Sequence, residues 1–173
     1  HPAVNMGCFS CHAPHSSNYA KMLAAEQPGL CYQCHDKAVF TQKDVHPALS
    51  MGCTECHNPH STDSAKLLVK EQPELCYTCH DKAIFTKKVI HPALSMGCTT
   101  CHNPHSSNNT KLLRAAQPDL CYTCHDKAMF SGKGAHPEVT AACTACHNPH
   151  SSDNEKLLGM VLPGRCDPCH RSG

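Results

Sequence analysis

Eight short motifs in this 173-residue sequence combine two cysteines and one histidine at a fixed spacing, CxxCH, and together they use all 16 cysteines. The motifs are Cys8-Cys11-His12, Cys31-Cys34-His35, Cys53-Cys56-His57, Cys76-Cys79-His80, Cys98-Cys101-His102, Cys121-Cys124-His125, Cys143-Cys146-His147 and Cys166-Cys169-His170. Two thiols at this spacing can bind both vinyl groups of one porphyrin as thioethers while the adjacent imidazole binds the iron. The pattern predicts eight covalently attached haems c.

Zinc sites and disulfides are the alternative use of CxxC pairs, since four thiolates can bind one zinc ion. A single CxxCH would be a weak signal for haem. Here, however, a histidine directly follows every CxxC pair in the chain. A zinc site or a disulfide does not require that histidine, so haem attachment is favoured.

The other eight histidines are equal in number to the second axial positions of eight irons, and all of them lie in register. Four of them open a His-Pro pair and four end a CHxPH sequence: His1, His46, His91 and His136; His15, His60, His105 and His150. We expect these eight imidazoles to complete bis-histidine ligation. The methionines are poorer candidates, because Met6, Met51 and Met96 are replaced by Ala142 in the fourth copy.

A repeat of 45 residues organises the whole chain and aligns without a gap. The predicted domains are four dihaem repeats, at 1–45, 46–90, 91–135 and, truncated, 136–173. Leu, Ile, Val and Phe total only 26 residues, too few for an ordinary apolar core. We therefore expect a mostly irregular fold with short α-helices, wrapped around a row of stacked haems.

Local signals indicate only short elements. Each CHxPH is followed by a Ser-Ser or Ser-Thr pair, which predicts the start of a short helix through the Lys-Leu stretch, limited by a later proline such as Pro28. The second CxxCH should lie on another turn or helix that starts after that proline. The recurring Lys21, Lys66, Lys111 and Lys156 could pair with haem propionates or be solvated.

The sequence leaves the assignment of distal ligands open. His15 follows His12 by three residues, too few to pass around a porphyrin, so it should bind a neighbouring haem, of which the second in its own repeat is the nearest. His46 could reach either the first haem of its own repeat or the second haem of the preceding one.

The second of these alternatives would leave His1 without a haem in its own chain. His1 would then bind the haem of Cys166, Cys169 and His170 in another copy, and the copies would polymerise.

Charge and hydropathy restrict the partners and the location. A formal net charge of +1 does not favour nucleic acid binding. No apolar run approaches the length of a transmembrane helix, and no basic stretch followed by an apolar one opens the chain. We expect a secreted chain from which a targeting segment has been removed.

The pattern CxxCHxPH, Lys-Leu and CxxCH, in four copies over the whole chain, resembles the doubled-CxxCH class of multihaem c-type cytochromes. The resemblance implies haem attachment in the periplasm or outside the cell. It also implies electron transfer with redox partner proteins or extracellular acceptors. Some multihaem relatives polymerise into extracellular cytochrome filaments, so self-association is a further expectation.

Two other functions compete with a filament subunit. A periplasmic electron shuttle would differ from it only in self-association. An octahaem oxidoreductase of nitrogen compounds would need an iron without a distal side chain, and eight distal candidates for eight haems speak against one. We therefore expect an electron carrier and not an enzyme.

Overall fold

A computed structural model describes residues 1–133, 135–136 and 143–160 of the chain. It divides into two compact units, His1–Leu75 with Asn103–Leu112, and Cys76–His102 with the described part of Leu113–Gly173. The last motif, with Cys166, Cys169 and His170, lies outside the described residues. The division into four dihaem repeats as domains stays a prediction.

The backbone is mostly irregular, as predicted, and the short helices are nearly all 3-10 rather than α. The one α-helix of the described residues, α1, is Asp119–Tyr122. The 3-10 helices are Pro2–Met6, Cys8–Ser10, Ala20–Met22, Cys31–Gln33, Lys37–Phe40, Pro47–Met51, Cys53–Glu55, Ala65–Leu67, Cys76–Thr78, Lys82–Phe85, Pro92–Met96, Cys98–Thr100, Thr110–Leu112, Lys127–Phe130, Cys143–Ala145 and Glu155–Leu157.

The second motif of a repeat lies on a short helical turn, as expected. In the first repeat this turn is Cys31–Gln33, three residues after Pro28. The helix that follows is capped by Asp36, whose side chain accepts a hydrogen bond from the Ala38 N–H at 2.9 Å. Such an acceptor satisfies one of the free N–H groups at a helix start.

The predicted helix through the Lys-Leu stretch is wrong, because two consecutive residues there adopt left-handed backbone angles. Lys66 and Leu67 have φ values of 59° and 57°. The same pair is left-handed in each repeat: Lys21 and Met22, Lys111 and Leu112, Lys156 and Leu157. A left-handed L-residue cannot continue a right-handed helix, so each of the 3-10 elements at this position is a single tight turn with a non-helical lysine inside it: Ala20–Met22, Ala65–Leu67, Thr110–Leu112 and Glu155–Leu157.

Two antiparallel ladders of two residues each join segments from different repeats. In the first, β1 (Asp44–Val45) pairs with β3 (Ser106–Ser107), and in the second, β2 (Val89–Ile90) pairs with β4 (Ser151–Ser152). The strands in each ladder come from repeats two positions apart in the sequence. Their four serines are the only buried residues of the described chain, and Ser106 and Ser151 are fully buried at 0% exposure.

No apolar side chain is buried among the described residues. This part of the chain therefore has no hydrophobic core of its own, which matches the low content of large aliphatic residues. Its interior must be completed by a group other than side chains.

Candidate metal centres

Five pairs of histidine rings face each other at nearly equal distances. The ring centroids are separated by 5.9 Å for His1 and His35, 6.0 Å for His12 and His60, 6.0 Å for His57 and His105, 6.1 Å for His91 and His125, and 6.0 Å for His102 and His150. Each pair combines the histidine of a CxxCH motif with one of the eight additional histidines.

This separation fits an iron bound between the two rings. An imidazole nitrogen lies about 2 Å from a metal that it binds, so two nitrogens on opposite sides of one metal are about 4 Å apart. The ring centres lie farther out by about an ångström on each side, which gives about 6 Å. The rings are thus too far apart to touch each other and correctly spaced for a shared haem iron.

In these ring pairs, the CHxPH histidine lies opposite a motif histidine of the preceding repeat. His60 faces His12, and His105 faces His57, so each lies opposite the first motif of the repeat before its own. The expectation that such a histidine binds the second haem of its own repeat is therefore wrong. Sequence distance misled here, because the segment folds back across the repeat boundary.

The opening histidines lie opposite the second motif of their own repeat. His1 faces His35, and His91 faces His125. Both alternatives considered for these histidines, the first haem of the same repeat and the second haem of the preceding one, are wrong. The binding of His1 to a haem of another copy is wrong for the same reason. His46 and His136 stay predicted ligands at the equivalent positions.

A backbone carbonyl orients the motif histidines of the first sites. The Nδ1 atom of His57 lies 2.9 Å from the carbonyl oxygen of Lys66, and His12 and His147 have the same contact with their own repeat's lysine. An N–H donated from Nδ1 leaves Nε2 unprotonated and pointing away, ready to bind a metal. The lysine therefore contributes through its main-chain carbonyl. The sequence suggested only two roles for its side chain, pairing with a haem propionate or solvation.

The two classes of distal histidine are positioned differently. The Nδ1 atom of His91 accepts the backbone N–H of Ala93 at 3.2 Å and caps the helix Pro92–Met96. The backbone N–H of His105 instead donates to the side chain of Asn103 at 3.1 Å, which closes a local turn. Both contacts restrict the direction of a ring.

An aromatic residue two repeats earlier supports the distal ring. Phe40 packs on His105 with ring centroids 4.8 Å apart, and Phe85 packs on His150 at the same distance. Tyr32 in turn packs on Phe40 at 5.5 Å. Sequence reasoning missed the phenylalanines, although their recurrence at one repeat position was a usable signal.

Burial keeps two of the candidate ligands in the form that binds metal. Burial, reinforced by the nearby His125 ring, lowers the pKa of His91. Burial also lowers the pKa of His105, with smaller effects from His57 and His46. Both shifts favour the neutral imidazole, which is the charge state that metal ligation requires.

Neighbouring motifs meet through their cysteines. Burial, together with a hydrogen-bonded Cys53, raises the pKa of Cys31 to about 11. Cys121 has the same relation to Cys143, and its pKa is also raised to about 11. The second motif of one repeat therefore lies beside the first motif of the next, within each of the two units.

A cavity of about 340 Å³ joins two of these neighbouring sites in the second unit. Its lining includes His91, His125 and Cys121 from one site and Cys143 and His147 from the next. None of the described cysteines is joined to another by a disulfide. Paired imidazoles, adjacent thiols and an apolar space between sites are the features that a haem c requires.

No group of three or more His, Cys, Asp or Glu that could hold a metal ion occurs in the described part of the chain. Within that part, no helix has the length and apolar character needed to cross a membrane.

The profile of the doubled CXXCH motif family matches the chain four times, over residues 1–40, 46–85, 91–130 and 136–173. No curated protein sequence matches the chain significantly. The four matches cover most of the sequence and coincide with the repeats that carry the imidazole pairs. The chain belongs to the doubled CXXCH motif family and is a multihaem c-type cytochrome of electron transfer.

Proposed function

We propose that this cytochrome carries eight haems c, acts outside the cytoplasmic membrane, and passes electrons between redox partners as a subunit that associates with further copies of itself. The observation that carries the proposal is the set of imidazole pairs 5.9–6.1 Å apart. The count of eight rests on the eight CxxCH motifs.

Each paired site is suited to electron transfer because both axial positions are filled by side chains. Haem, when bound, supplies a one-electron iron couple. His12 and His60 would hold it from opposite sides, so neither ligand has to leave when the charge changes. The carbonyl of Lys21 makes the His12 imidazole a more basic ligand and favours a low potential.

The order of the sites favours transfer along the chain. Cys31 lies close to both Cys11 and Cys53, so the second motif of the first repeat is between two first motifs. In the second unit Cys121 is similarly close to Cys101 and Cys143. Adjacent haems at such motifs would be close enough for electrons to pass directly between them. A continuous row of eight is the extension of this order to the whole chain.

An enzymatic role is the second candidate, and one site favours it. Among the described residues no imidazole ring is paired with His147, unlike the rings of the other first motifs, so this is the site at which a haem iron could keep an open position. An open iron could bind a small substrate such as nitrite. At the five sites with paired imidazoles, both axial positions of a haem iron would be filled, so no substrate could bind there. An electron carrier requires no open axial position.

The test is to produce the holoprotein with a periplasmic haem-attachment system. Intact mass should show eight haems, and potentiometric titration should show low potentials. Electron micrographs should show polymers in the concentrated protein. Fewer than eight haems would contradict the count. Rapid nitrite turnover by the assembled protein would favour the enzyme, and monomers at every concentration would favour a diffusing shuttle.

A further inference from the structure

The first-motif sites of the second and third repeats are matched in their ring contacts. The ring centroids of His57 and His105 are 6.0 Å apart, and so are those of His102 and His150. A phenylalanine packs on the distal ring at 4.8 Å in both cases. A chemical difference between the two sites is therefore to be sought in the side chains around the motifs.

One position beside the first motif differs in charge among the repeats. The backbone N–H of this residue donates to the carbonyl of the motif's second cysteine, as Val69 does to Cys56 at 3.0 Å and Arg114 does to Cys101 at 2.9 Å. The residues at this position in the four repeats are Ala24, Val69, Arg114 and Gly159. The main-chain bond thus holds a cation at the motif of the third repeat, where the other repeats have a neutral residue.

A second hydrogen bond fixes the guanidinium of Arg114. Its Nε donates to the carbonyl oxygen of Thr99 at 2.6 Å, and Thr99 lies between the two cysteines of the motif. The side chain is therefore folded back along the motif, although Arg114 is exposed. Burial and the nearby Cys124 raise the pKa of Cys101, and the charge of Arg114 opposes this rise. The guanidinium is thus close enough to act on a sulfur atom to which a haem would be attached.

Other charged residues close to these motifs in the sequence do not cancel this difference. In the second repeat, Glu55 lies within the motif and Lys70 follows Val69, and their two charges sum to zero. The third repeat has the uncharged Thr100 and Ala115 at these positions. The guanidinium therefore leaves the third repeat with one more positive charge over the same three positions.

We infer that Arg114 raises the reduction potential of the first-motif haem at His102 above that of the first-motif haem at His57. The inference rests on the haem ligation proposed above and assigns one residue that makes otherwise matched sites unequal. On reduction the ferric iron takes one electron from a redox partner, and the charge of the site falls by one. A fixed cation nearby disfavours the ferric form, so the electron is held more strongly at this site.

Solvent limits the size of the effect. Arg114 is exposed, so water and dissolved ions screen its charge. We expect the charge to change the ratio of reduced to oxidised haem, at a fixed potential, by roughly threefold to tenfold. For a one-electron couple this change corresponds to about 28–59 mV.

The first experiment is a potentiometric titration of the holoproteins. Arg114→Gln should lower the potential of one haem, whereas Arg114→Lys should retain most of the wild-type potential because it keeps the charge. At about 1 M salt the difference between wild type and Arg114→Gln should shrink, since the Debye length falls to about 3 Å. An unchanged curve for Arg114→Gln would overturn the inference. A lysine variant that behaves like the glutamine variant would also overturn it, because the hydrogen bond to Thr99 and not the charge would then be the cause.

The second experiment identifies the haem that responds. Loss of a distal ligand should make its haem high-spin, so His150→Ala marks the haem at His102 and His105→Ala marks the haem at His57. The high-spin signal in electron paramagnetic resonance disappears on reduction, which gives the potential of the marked haem alone. Arg114→Gln should lower this potential in the His150→Ala background and leave it unchanged in the His105→Ala background. Equal shifts in the two backgrounds would contradict a local effect.

The third experiment transfers the charge to the matched site. Val69→Arg places a guanidinium at the equivalent position of the second repeat, where Val69 is 45% exposed and Thr54 stands in the place of Thr99. In the His105→Ala background this substitution should raise the potential of the marked haem. A potential that stays the same or falls would show that the charge at this position does not set it.

Failure of the inference can be told from failure of the proposed function. Eight low-spin haems, together with an Arg114→Gln titration identical to that of wild type, would reject the role of Arg114 and retain the electron carrier. Peptide mass spectrometry that finds no haem on Cys98 and Cys101 would reject the site itself, and with it both the inference and the count of eight haems.

Discussion

Replacing Ser106 with Ala should destabilise the protein, whereas the same change at Ser16 should not. Both serines directly follow a CHxPH histidine, so their local sequences match closely. Ser106 is fully buried and joins two backbone groups of the first repeat. Ser16 is exposed and makes no hydrogen bond to the residues that the structure describes.

The expected effect follows from the two hydrogen bonds that Ser106 makes. Alanine leaves the Val39 carbonyl and the Gln42 N–H without this partner. At about 1 kcal/mol for each bond, the free energy of unfolding should fall by about 2 kcal/mol. For a chain of this size that corresponds to a lowering of Tm by about 4–8 °C. Ser16→Ala should change stability by less than about 0.5 kcal/mol.

Guanidinium unfolding of the holoproteins, followed by circular dichroism, measures this difference. Ser151→Ala should repeat the Ser106 result, because Ser151 Oγ donates to the Ile84 carbonyl at 2.9 Å. Equal losses at Ser16 and Ser106 would show that burial across repeats is not the cause.

Three further predictions concern the backbone turn, one axial ligand and the interior. Lys66→Gly should keep the His57 hydrogen bond and the haem spectrum, because glycine adopts left-handed backbone angles readily. Lys66→Val should lower the free energy of unfolding by about 1–2 kcal/mol, because valine is strained in the left-handed turn. Denaturant midpoints measure both variants, and equal losses of stability would contradict a role of the backbone. His105→Met should raise the potential of one haem in a potentiometric titration, since a methionine ligand raises haem potentials, and an unchanged set of potentials would disprove its ligation. Chain expressed without haem attachment should show no cooperative thermal transition, because the described residues bury no apolar side chain.

The repeats and the motifs could be predicted from the sequence, whereas the role of the histidines as iron ligands stays a prediction. Every CxxCH histidine in the five pairs faces one of the additional histidines, as the equal numbers suggested. The motifs are local patterns, and the repeat becomes visible when the sequence is aligned with itself after a shift of 45 residues.

The partner of each distal ligand could not be predicted, for a physical reason. Translation by 45 residues preserves any pairing scheme, so the repeat pattern alone cannot choose among offsets. The length of the connecting segment sets only the maximum distance that a histidine can span. On this basis the nearest haem, the second of the same repeat, was expected for His15. The choice is made by contacts between repeats, such as the packing of Phe40 on His105, which have no local signature.

The left-handed turn in the Lys-Leu stretch could not be predicted from the sequence for another reason. Lys66 and Leu67 are good helix formers, and the serine before them is a common helix cap. Their backbone is instead set by His57, which requires a carbonyl oxygen 2.9 Å from its Nδ1 atom. The hydrogen bond that orients His57 thus outweighs the helix propensity of Lys66 and Leu67. The left-handed backbone costs on the order of 1–2 kcal/mol for each of these two residues.

The offsets between contacts explain why the repeats cannot be independent. A first-motif site needs a ring from the next repeat, as His57 needs His105, and the loop at Val39 needs a serine two repeats later. A single repeat could therefore complete only its second site, where His1 and His35 belong to the same copy.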